Sequence, residues 1–343
     1  MASNDNPTAG QAQSQYRSEQ QTKRDPAQPM PEELWIRFWG VRGSYPVPGP
    51  NTVKYGGNTS CVEIRNAFHR IILDAGTGLI GLGDLLMSEY QRALKATPSS
   101  VHEPLTITVL LSHTHHDHIQ ALPFFLPAYS SKTRLYVYGP QLLGEDLRDS
   151  ISLTMTARYC PVRLEELNAQ KSIENLADSD RLLYRNSDKA PKIYDAHEEL
   201  PAAQTGDLLV SILRSYAHPK DGVFIFKITN NGKRVVYATD IEGYTGGDSR
   251  LIEFARGADV LIHDAQYTQE QYSNPHFPTQ GFGHSTIDMA CEVAQKAKVG
   301  KLILFHHNPR HTDEDMDHIE EYARTLFKHA FAAREGMEIH LSP

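Results

Sequence analysis

From residue 34 onward, short apolar and β-branched runs alternate along the chain with stretches of helical period. The first run, Leu34-Trp35-Ile36-Arg37-Phe38-Trp39, alternates like a half-buried strand and leads into a Gly- and Pro-rich loop from Gly40 to Gly57. Further strands are expected at Cys61 to Ile64, Arg70 to Leu73, Leu105 to Leu111, Leu135 to Tyr138, Leu208 to Leu213, Val223 to Ile228, Arg234 to Ala238, Val260 to Ile262 and Lys301 to Phe305. Helical periods cover Leu79 to Ala96, Ile119 to Ala128, Arg250 to Ala255, Thr286 to Lys298 and Asp313 to Ala333. Asn230-Asn231-Gly232-Lys233 carries the Asn-Gly signal of a tight hairpin. Hairpin pairs mixed with strand–helix units predict a layered α/β fold with mixed sheets, not a doubly wound parallel sheet.

Residues 1–31 lack an apolar period and end among Pro26, Pro29 and Pro31, so a disordered polar tail is expected there. The remainder reads as one domain, 32–343. Its charged, weakly periodic stretch at 140–205 is expected to be an insertion forming a lid or dimer surface near the site. Within it, Met155 to Pro161 sets an aromatic beside an arginine, suited to a base or phosphate, or else a loop packed on the core. No apolar run approaches the roughly 18 residues of a membrane span. The start lacks a basic-then-apolar leader, so a cytoplasmic location is expected. Cys61, Cys160 and Cys291 show no paired spacing, which argues against a disulfide framework and against a cysteine zinc site. A net charge of −8, from 34 basic and 42 acidic side chains, is the wrong sign for nonspecific grip on nucleic acid. No stable nucleic-acid partner is expected, and a homodimer is left open. One number departs from ordinary composition: 17 histidines in 343 residues, about 5% and roughly twice usual.

Four of those histidines crowd into one place. The apolar run Thr106 to Leu111 leads into Ser112-His113-Thr114-His115-His116-Asp117-His118. His113 and His115 are two apart, so they converge in a loop and diverge on a helix. Asp117-x-x-Gln120 resembles a capping box at a helix start. Imidazoles with a carboxylate are the usual zinc donors outside cysteine sites. Packed together without a cation, they would leave buried polar groups without partners.

His113-x-His115-x-Asp117-His118 resembles the HxHxDH signature of the metallo-β-lactamase superfamily. Other landmarks follow in the family's order: Asp74-Ala75-Gly76-Thr77-Gly78, Ala217-His218-Pro219, Tyr237-Ala238-Thr239-Asp240, and Leu302 to His306. The resemblance implies a four-layer αββα sandwich with a two-metal site at one edge. Carried over by position, His113, His115 and His218 would hold one divalent ion. Asp117, His118 and His306 would hold the other, and Asp240 would bridge them. Zinc is the expected metal, with manganese or iron as alternatives. His307 competes with His306 for the last place, and strand-end position favours His306. His116 is expected in an outer shell or exposed.

Gly281-Phe282-Gly283-His284-Ser285-Thr286 resembles the His-Ser-Thr element of the ribonuclease Z and phosphodiesterase branch, although Ser285-Thr286 also suits an ordinary helix cap. Phe38 to Ser44 and Tyr55 to Cys61 are similar to the same branch. The resemblance implies hydrolysis of a small or cyclic, anionic phosphodiester by a hydroxide bridging two ions. Asp117 would orient or deprotonate the nucleophile, and His284 would act as general acid. Arg42 and Asn58 are candidates to meet a substrate phosphate; alternatively Arg42 holds its loop and Asn58 makes an Asx turn. Asp264, grouped with them as a substrate-side candidate, is also placed to orient His284 or a ligand histidine.

Ribonuclease Z-type cleavage of RNA 3′ ends is one alternative. Against it, only residues 219–239 separate His218 from Asp240, too few for that branch's exosite arm, and the chain is acidic. A lactonase, thioesterase or β-lactamase is a second alternative, opposed by the His284 motif. A non-catalytic binding protein is a third, opposed by metal-competent residues at all seven ligand positions.

Overall fold

The computed structural model describes residues 29–30, 32–96, 102–141, 144–186, 188–244 and 246–342. The expected tail, but for Pro29 and Met30, lies outside the described residues.

The first sheet begins with three antiparallel strands, β1 (Leu34–Gly40), β2 (Cys61–Arg65) and β3 (Arg70–Leu73). It continues in parallel through β4 (Leu105–Leu110), β5 (Thr133–Pro140) and β6 (Gln170–Leu176). The helix Gly78–Ala96 makes the β3-to-β4 crossover, as a parallel pair requires. The chain then enters the second sheet with β7 (Arg181–Tyr184), β8 (Lys192–Tyr194), β9 (Leu208–Ser215), β10 (Val223–Asn230) and β11 (Lys233–Ala238), all paired antiparallel. The parallel strands β12 (Val260–Asp264), β13 (Lys301–Phe305) and β14 (Ala330–Ala332) complete it. The last strand, β15 (Glu338–Leu341), returns to pair with β1.

The two sheets face each other across one apolar layer. Ile36, Phe38, Ile64 and Leu73 come from the first sheet; Phe224, Phe226, Tyr237 and Phe305 come from the second. Gly78–Ala96 covers the outside of the first sheet, burying Leu79, Leu82 and Leu86 against Ile72, Ile107 and Val109. Ile287–Ala297 and Asp313–Leu326 cover the outside of the second. Helix, sheet, sheet and helix form the four-layer αββα sandwich, because each sheet has two apolar faces to bury.

Three local expectations change. The helical period from Ile119 to Ala128 breaks into a short helix, His116–Ile119, and two tight turns, Leu122–Phe124 and Leu126–Tyr129. Pro123 and Pro127 explain the break, since each lacks an amide hydrogen and crowds the preceding turn. The last helix stops at Leu326, and Ala330–Ala332 become an edge strand. The stretch 140–205 supplies β6 to one sheet and β7 and β8 to the other, so it completes the sandwich where an added lid was expected. Met155 and Cys160 are buried in it, and Tyr159 is exposed. The hairpin expected at Asn230 to Lys233 joins β10 to β11, with Asn231 and Gly232 both at positive φ. Among the described residues no helix is long and apolar enough to cross a membrane.

Candidate active site

The parallel strands, and β9, which runs in the same direction beyond β10, end at the same edge of the sandwich, and the polar residues follow those ends. Asp74 follows β3, His113 to His118 follow β4, and His218 follows β9. Asp240 follows β11, Asp264 ends β12, and His306 follows β13. In open α/β sheets, carboxyl strand ends are where ligands bind. Three of these residues leave their strands in the left-handed region: Asp74 (φ 61°), Asp240 (φ 51°) and His306 (φ 59°). Each such turn costs about 1–3 kcal/mol and is retained where the surroundings demand it.

Two donor groups result. His113, His115 and His218 offer nitrogens within 4.8 Å of one another. Asp117, His118, Asp240 and His306 do the same. Asp240 faces both groups with different oxygens. Its Oδ1 lies 3.9 Å from Nε2 of His113 and of His218, and its Oδ2 lies 3.1 Å from Nε2 of His118 and of His306. Asp117 Oδ2 lies 3.3 Å from His118 Nε2 and 3.2 Å from His306 Nε2. His115 sits at the open rim, while His113, His118 and His306 are buried.

The far nitrogens are pinned. His118 Nδ1 meets Asp74 at 2.8 Å, His218 Nδ1 meets the Gly283 carbonyl at 2.9 Å, and His306 Nδ1 meets Gln266 Oε1 at 2.8 Å. Asp74 also accepts from the Ser112 amide and hydroxyl and from the Tyr237 hydroxyl. Such outer hydrogen bonds fix the tautomer and aim the ring.

This arrangement fits cations. The Nε2 atoms of His113 and His118 are buried without a hydrogen-bond partner. Burial first, then neighbouring imidazoles, push His113 well below the ordinary histidine range, and His115 and His218 are also lowered, so these rings are held neutral, the form that can donate to a cation. Burial would raise Asp117 and Asp240, but the facing histidines hold both well below the usual carboxylate range. At His118 burial is outweighed by Asp240, Asp117 and Asp74, which raise it well above its ordinary value. The cluster favours positive charge at that point.

His284 stands beside both groups. Its Nδ1 is 2.8 Å from Asp264 Oδ2 and 3.9 Å from Asp240 Oδ1. Its ring stacks on His306 at 5.0 Å and meets His218 edge-on at 5.3 Å. Burial would lower this imidazole, but Asp264, Asp240 and Asp117 push it up to about 9. Asp240, Asp264, His284 and His306 form a third grouping of donor atoms. Asp264 is fully buried and accepts from the Gln266 and Ser285 amides while its Oδ2 faces His284 Nδ1.

Other expected residues lie elsewhere. Arg42 is fully buried and donates to the carbonyls of Gly56, Asn308 and His311, so it holds its loop instead of a phosphate. Asn58 binds Glu335 through its amide and its side chain, which replaces both the phosphate contact and the Asx turn. His307 bonds the Ala333 carbonyl, away from the cluster that His306 joins. Asp117 is not a helix cap: His115 holds that position, and Asp117 accepts instead from the Ser44 amide at 2.7 Å. His116 is exposed.

Sequence reasoning passed over Gln266 and Glu242, and it quoted Asp74 without a role. Glu242 accepts from the Tyr272 hydroxyl and from the amides of Gly281 and Gly283. It thereby ties down the turn that presents His284 and the carbonyl under His218. Glu242 and Gln266 each stand two residues beyond a strand-end aspartate, the one signal that would have found them. Two glycines let loops close in. A Cβ on Gly43 would lie 2.4 Å from the His306 ring, and one on Gly283 (φ 85°) would lie 2.3 Å from His218 Nδ1.

Comparison with known proteins follows this geometry. Residues 69–307 match the Beta-lactamase superfamily domain. A ribonuclease Z of Thermoplasma acidophilum is 27% identical over 334 residues, spanning 90% of this chain and 97% of that protein. A ribonuclease Z of Ignicoccus hospitalis is 31% identical over 255 residues, spanning 66% and 78%. Among solved structures, the metallo-β-lactamase fold protein YhfI from Bacillus subtilis aligns with a TM-score of 0.58 at 18% identity, covering 90% of this chain and all of that one. With its strand-edge donor groups, the chain is a metal-dependent hydrolase that belongs to the β-lactamase superfamily, in its ribonuclease Z-like branch.

Proposed function

We propose that this chain hydrolyses a small or cyclic phosphodiester. The observation that carries the reading is His284, held by Asp264 at 2.8 Å beside both donor groups. An acid is needed at that place to release an alkoxide. Two divalent cations, zinc foremost, held by His113, His115 and His218 on one side and Asp117, His118 and His306 on the other with Asp240 shared, would acidify water and polarise a phosphoryl oxygen.

The chain's own groups do the rest. The pinned rings of His118, His218 and His306 arrive with their ligand nitrogens already aimed, which removes reorganisation from the reaction. Asp117, steadied by the Ser44 amide, orients the attacking water. The carboxylate of Asp264, 2.8 Å from Nδ1, favours the doubly protonated form of His284. One stays at Nδ1 on Asp264, and the other, at Nε2, is free for the departing oxygen. As the water oxygen bonds to phosphorus it gives up one proton by way of Asp117 to solvent, the phosphorus–alkoxide bond breaks, and the departing alkoxide oxygen takes the Nε2 proton, which solvent then restores to His284.

Substrate size is supported by the segment between His218 and Asp240. It is filled by β10, a tight turn and β11, which leaves no arm to embrace a folded RNA. The net charge of −8 agrees. A specific observation favours a second reading, RNA 3′-end cleavage: the relatives described above are named ribonuclease Z. The test is side-by-side turnover by zinc- or manganese-loaded protein of a nucleoside cyclic phosphate, a precursor RNA with a 3′ trailer, and a lactone. Turnover of the cyclic phosphate is expected to dominate. Cleavage of the RNA with no turnover of the small diester would overturn the proposal in favour of the second reading, and lactone turnover alone would remove both.

A further inference from the structure

Beside the donor cluster opens a cleft of about 810 Å³. Among the described residues no carboxylate lines it, and the exposed Arg310 brings a positive charge to its wall, so the cleft suits an anion. Its inner end is formed by residues that already touch the site. Ser44 gives its amide to Asp117, Gln266 holds His306, and the ring of Tyr267 meets His284 edge-on at 5.9 Å.

The hydrogen bonds of this inner end run in one direction. His306 turns Nε2 toward Asp117 and Asp240, so with that nitrogen given to a cation its proton sits on Nδ1. Nδ1 then donates to Gln266 Oε1 at 2.8 Å. A side-chain amide that accepts with its oxygen donates with its nitrogen. Gln266 Nε2 accordingly donates to the Tyr267 hydroxyl at 3.1 Å. That bond uses a lone pair of the phenol oxygen and leaves the phenol's own O–H without an acceptor among the described residues. Burial, with Asp264 and Glu242 adding and Gln266 and Arg310 opposing, raises the phenol above its ordinary value, so the proton stays on the oxygen. Tyr267 is only 7% exposed, and the space it borders is the cleft. A buried hydroxyl whose proton has no acceptor is costly until one arrives.

We propose that Tyr267 is a substrate-contacting residue: its hydroxyl donates a hydrogen bond to an oxygen of the anion held at the donor cluster, and Gln266 aims it there. The amide that pins the His306 ring thereby also turns a neutral donor toward the place where negative charge gathers. His284 gives its proton to the leaving oxygen, whereas Tyr267 keeps its proton and stabilises an oxygen that stays on the attacked atom. The role rests on the anionic substrate of the reading above, and it is the same whether the attacked atom is phosphorus or carbon.

The test uses the metal-loaded full chain and Tyr267→Phe, which keeps the ring beside His284 and removes the hydroxyl. Inorganic phosphate is the probe, its Kd read by calorimetry. Tyr267→Phe should bind it about tenfold more weakly than the native chain, the worth of one hydrogen bond to a charged oxygen. On bis(p-nitrophenyl) phosphate kcat/KM should fall about 10- to 100-fold, with metal content and melting curve unchanged. Gln266→Glu supplies the second arm. The introduced carboxylate accepts from His306 and from Tyr267 alike, which turns the hydroxyl away from the cleft. Adding Tyr267→Phe to that background should therefore cost about twofold or less in phosphate affinity. Phosphate binding that is absent in the native chain, or unchanged in Tyr267→Phe, would overturn the proposal. So would a loss that comes with depleted metal, which would make the hydroxyl a prop for Gln266, and equal losses in both backgrounds would overturn the aiming by Gln266. Should the diester not be hydrolysed at all, the phosphodiesterase reading fails, and phosphate affinity still decides the role of Tyr267.

Discussion

The two sheets equip the site in different ways. The first sheet delivers His113, His115, Asp117 and His118 from one loop after β4, and one carboxylate beneath that loop, Asp74, steadies it. The second sheet delivers His218, Asp240 and His306 from the ends of three different strands and His284 from a loop beyond a fourth. Their positions depend on groups far away in sequence: Gly283 for His218, Gln266 for His306, Asp264 for His284. One contiguous loop supplies the donors of the first half, and separate strand ends and a loop supply those of the second; tertiary contacts steady both. Each donor group draws residues from both sheets, and Asp240 turns one oxygen toward each group, so the halves are joined at both groups and through Asp240.

That shared position sets the largest expected effect. Asp240→Ala should lower kcat/KM about 10³-fold, several kcal/mol of lost charge stabilisation. Elemental analysis of the dialysed variant should show both metals depleted. Asp117→Ala, which removes a ligand from one group only, should deplete one. If Asp240→Ala retains as much metal as Asp117→Ala, the halves are independent and the comparison breaks.

The next effect belongs to the second half alone. His284→Ala should reduce kcat about 10²-fold or more on a diester with an alkoxide leaving group. On bis(p-nitrophenyl) phosphate, whose leaving group departs without a proton, the loss should be about tenfold or less. Metal content should match the native chain. Equal losses on the two substrates would remove the general-acid role and leave His284 as a packing group.

The difference between halves also explains what the sequence disclosed. The first loop was legible as chemistry from residue types alone, because its donors are within six positions of one another. His218, Asp240 and His306 are ordinary residues after ordinary strands, and only likeness to a family drew them together. Gln266 and Glu242 escaped both routes, since what they bind is fixed by the fold and by no local pattern. Arg42 misled for a physical reason. A lone arginine in a Gly-rich loop suits an anion, yet here three backbone carbonyls satisfy it inside the protein. At fold level, apolar runs marked the inner strands well. β6 and β8 were hidden because edge strands bury less and so need fewer apolar residues, and the inner strand β7 because it is only four residues long.

A smaller effect separates the halves by pH. Just past His306, the buried His311 lies between Arg42 and Gln271. Burial pushes its imidazole down to about 4, with Asp315 opposing and Arg42 adding. An unfolded-state value near 6.5 is higher, so the unfolded chain binds the extra proton first. The stability this neutral ring contributes is complete above about pH 6.5 and is lost as pH falls toward 4, about 2 kcal/mol of it by pH 5. Urea unfolding at about pH 7.5 and pH 5 should show at least that loss in the native chain, the buried His307 adding its own, and a smaller one in His311→Gln. Equal losses would place the acid sensitivity elsewhere.

The smallest expected effect is the most discriminating, because it touches no donor to either metal group. Glu242 holds Tyr272, Gly281 and Gly283 with one carboxylate. Gly283 in turn presents the carbonyl under His218, and the next residue is His284. A glutamine keeps the size and one acceptor oxygen but cannot accept all three bonds with a charged group. Glu242→Gln should therefore cost about tenfold in kcat/KM, the lower end of the range for groups that steady metal ligands. Metal titration should show weaker binding at the His113, His115 and His218 group, with the other group unchanged. A loss of the same size in an equivalent variant beneath the first loop, Asp74→Asn, read at the Asp117 and His118 group instead, would show each half resting on its own carboxylate. If Glu242→Gln weakens both groups alike, the turn it holds serves the whole edge and the division between the halves disappears.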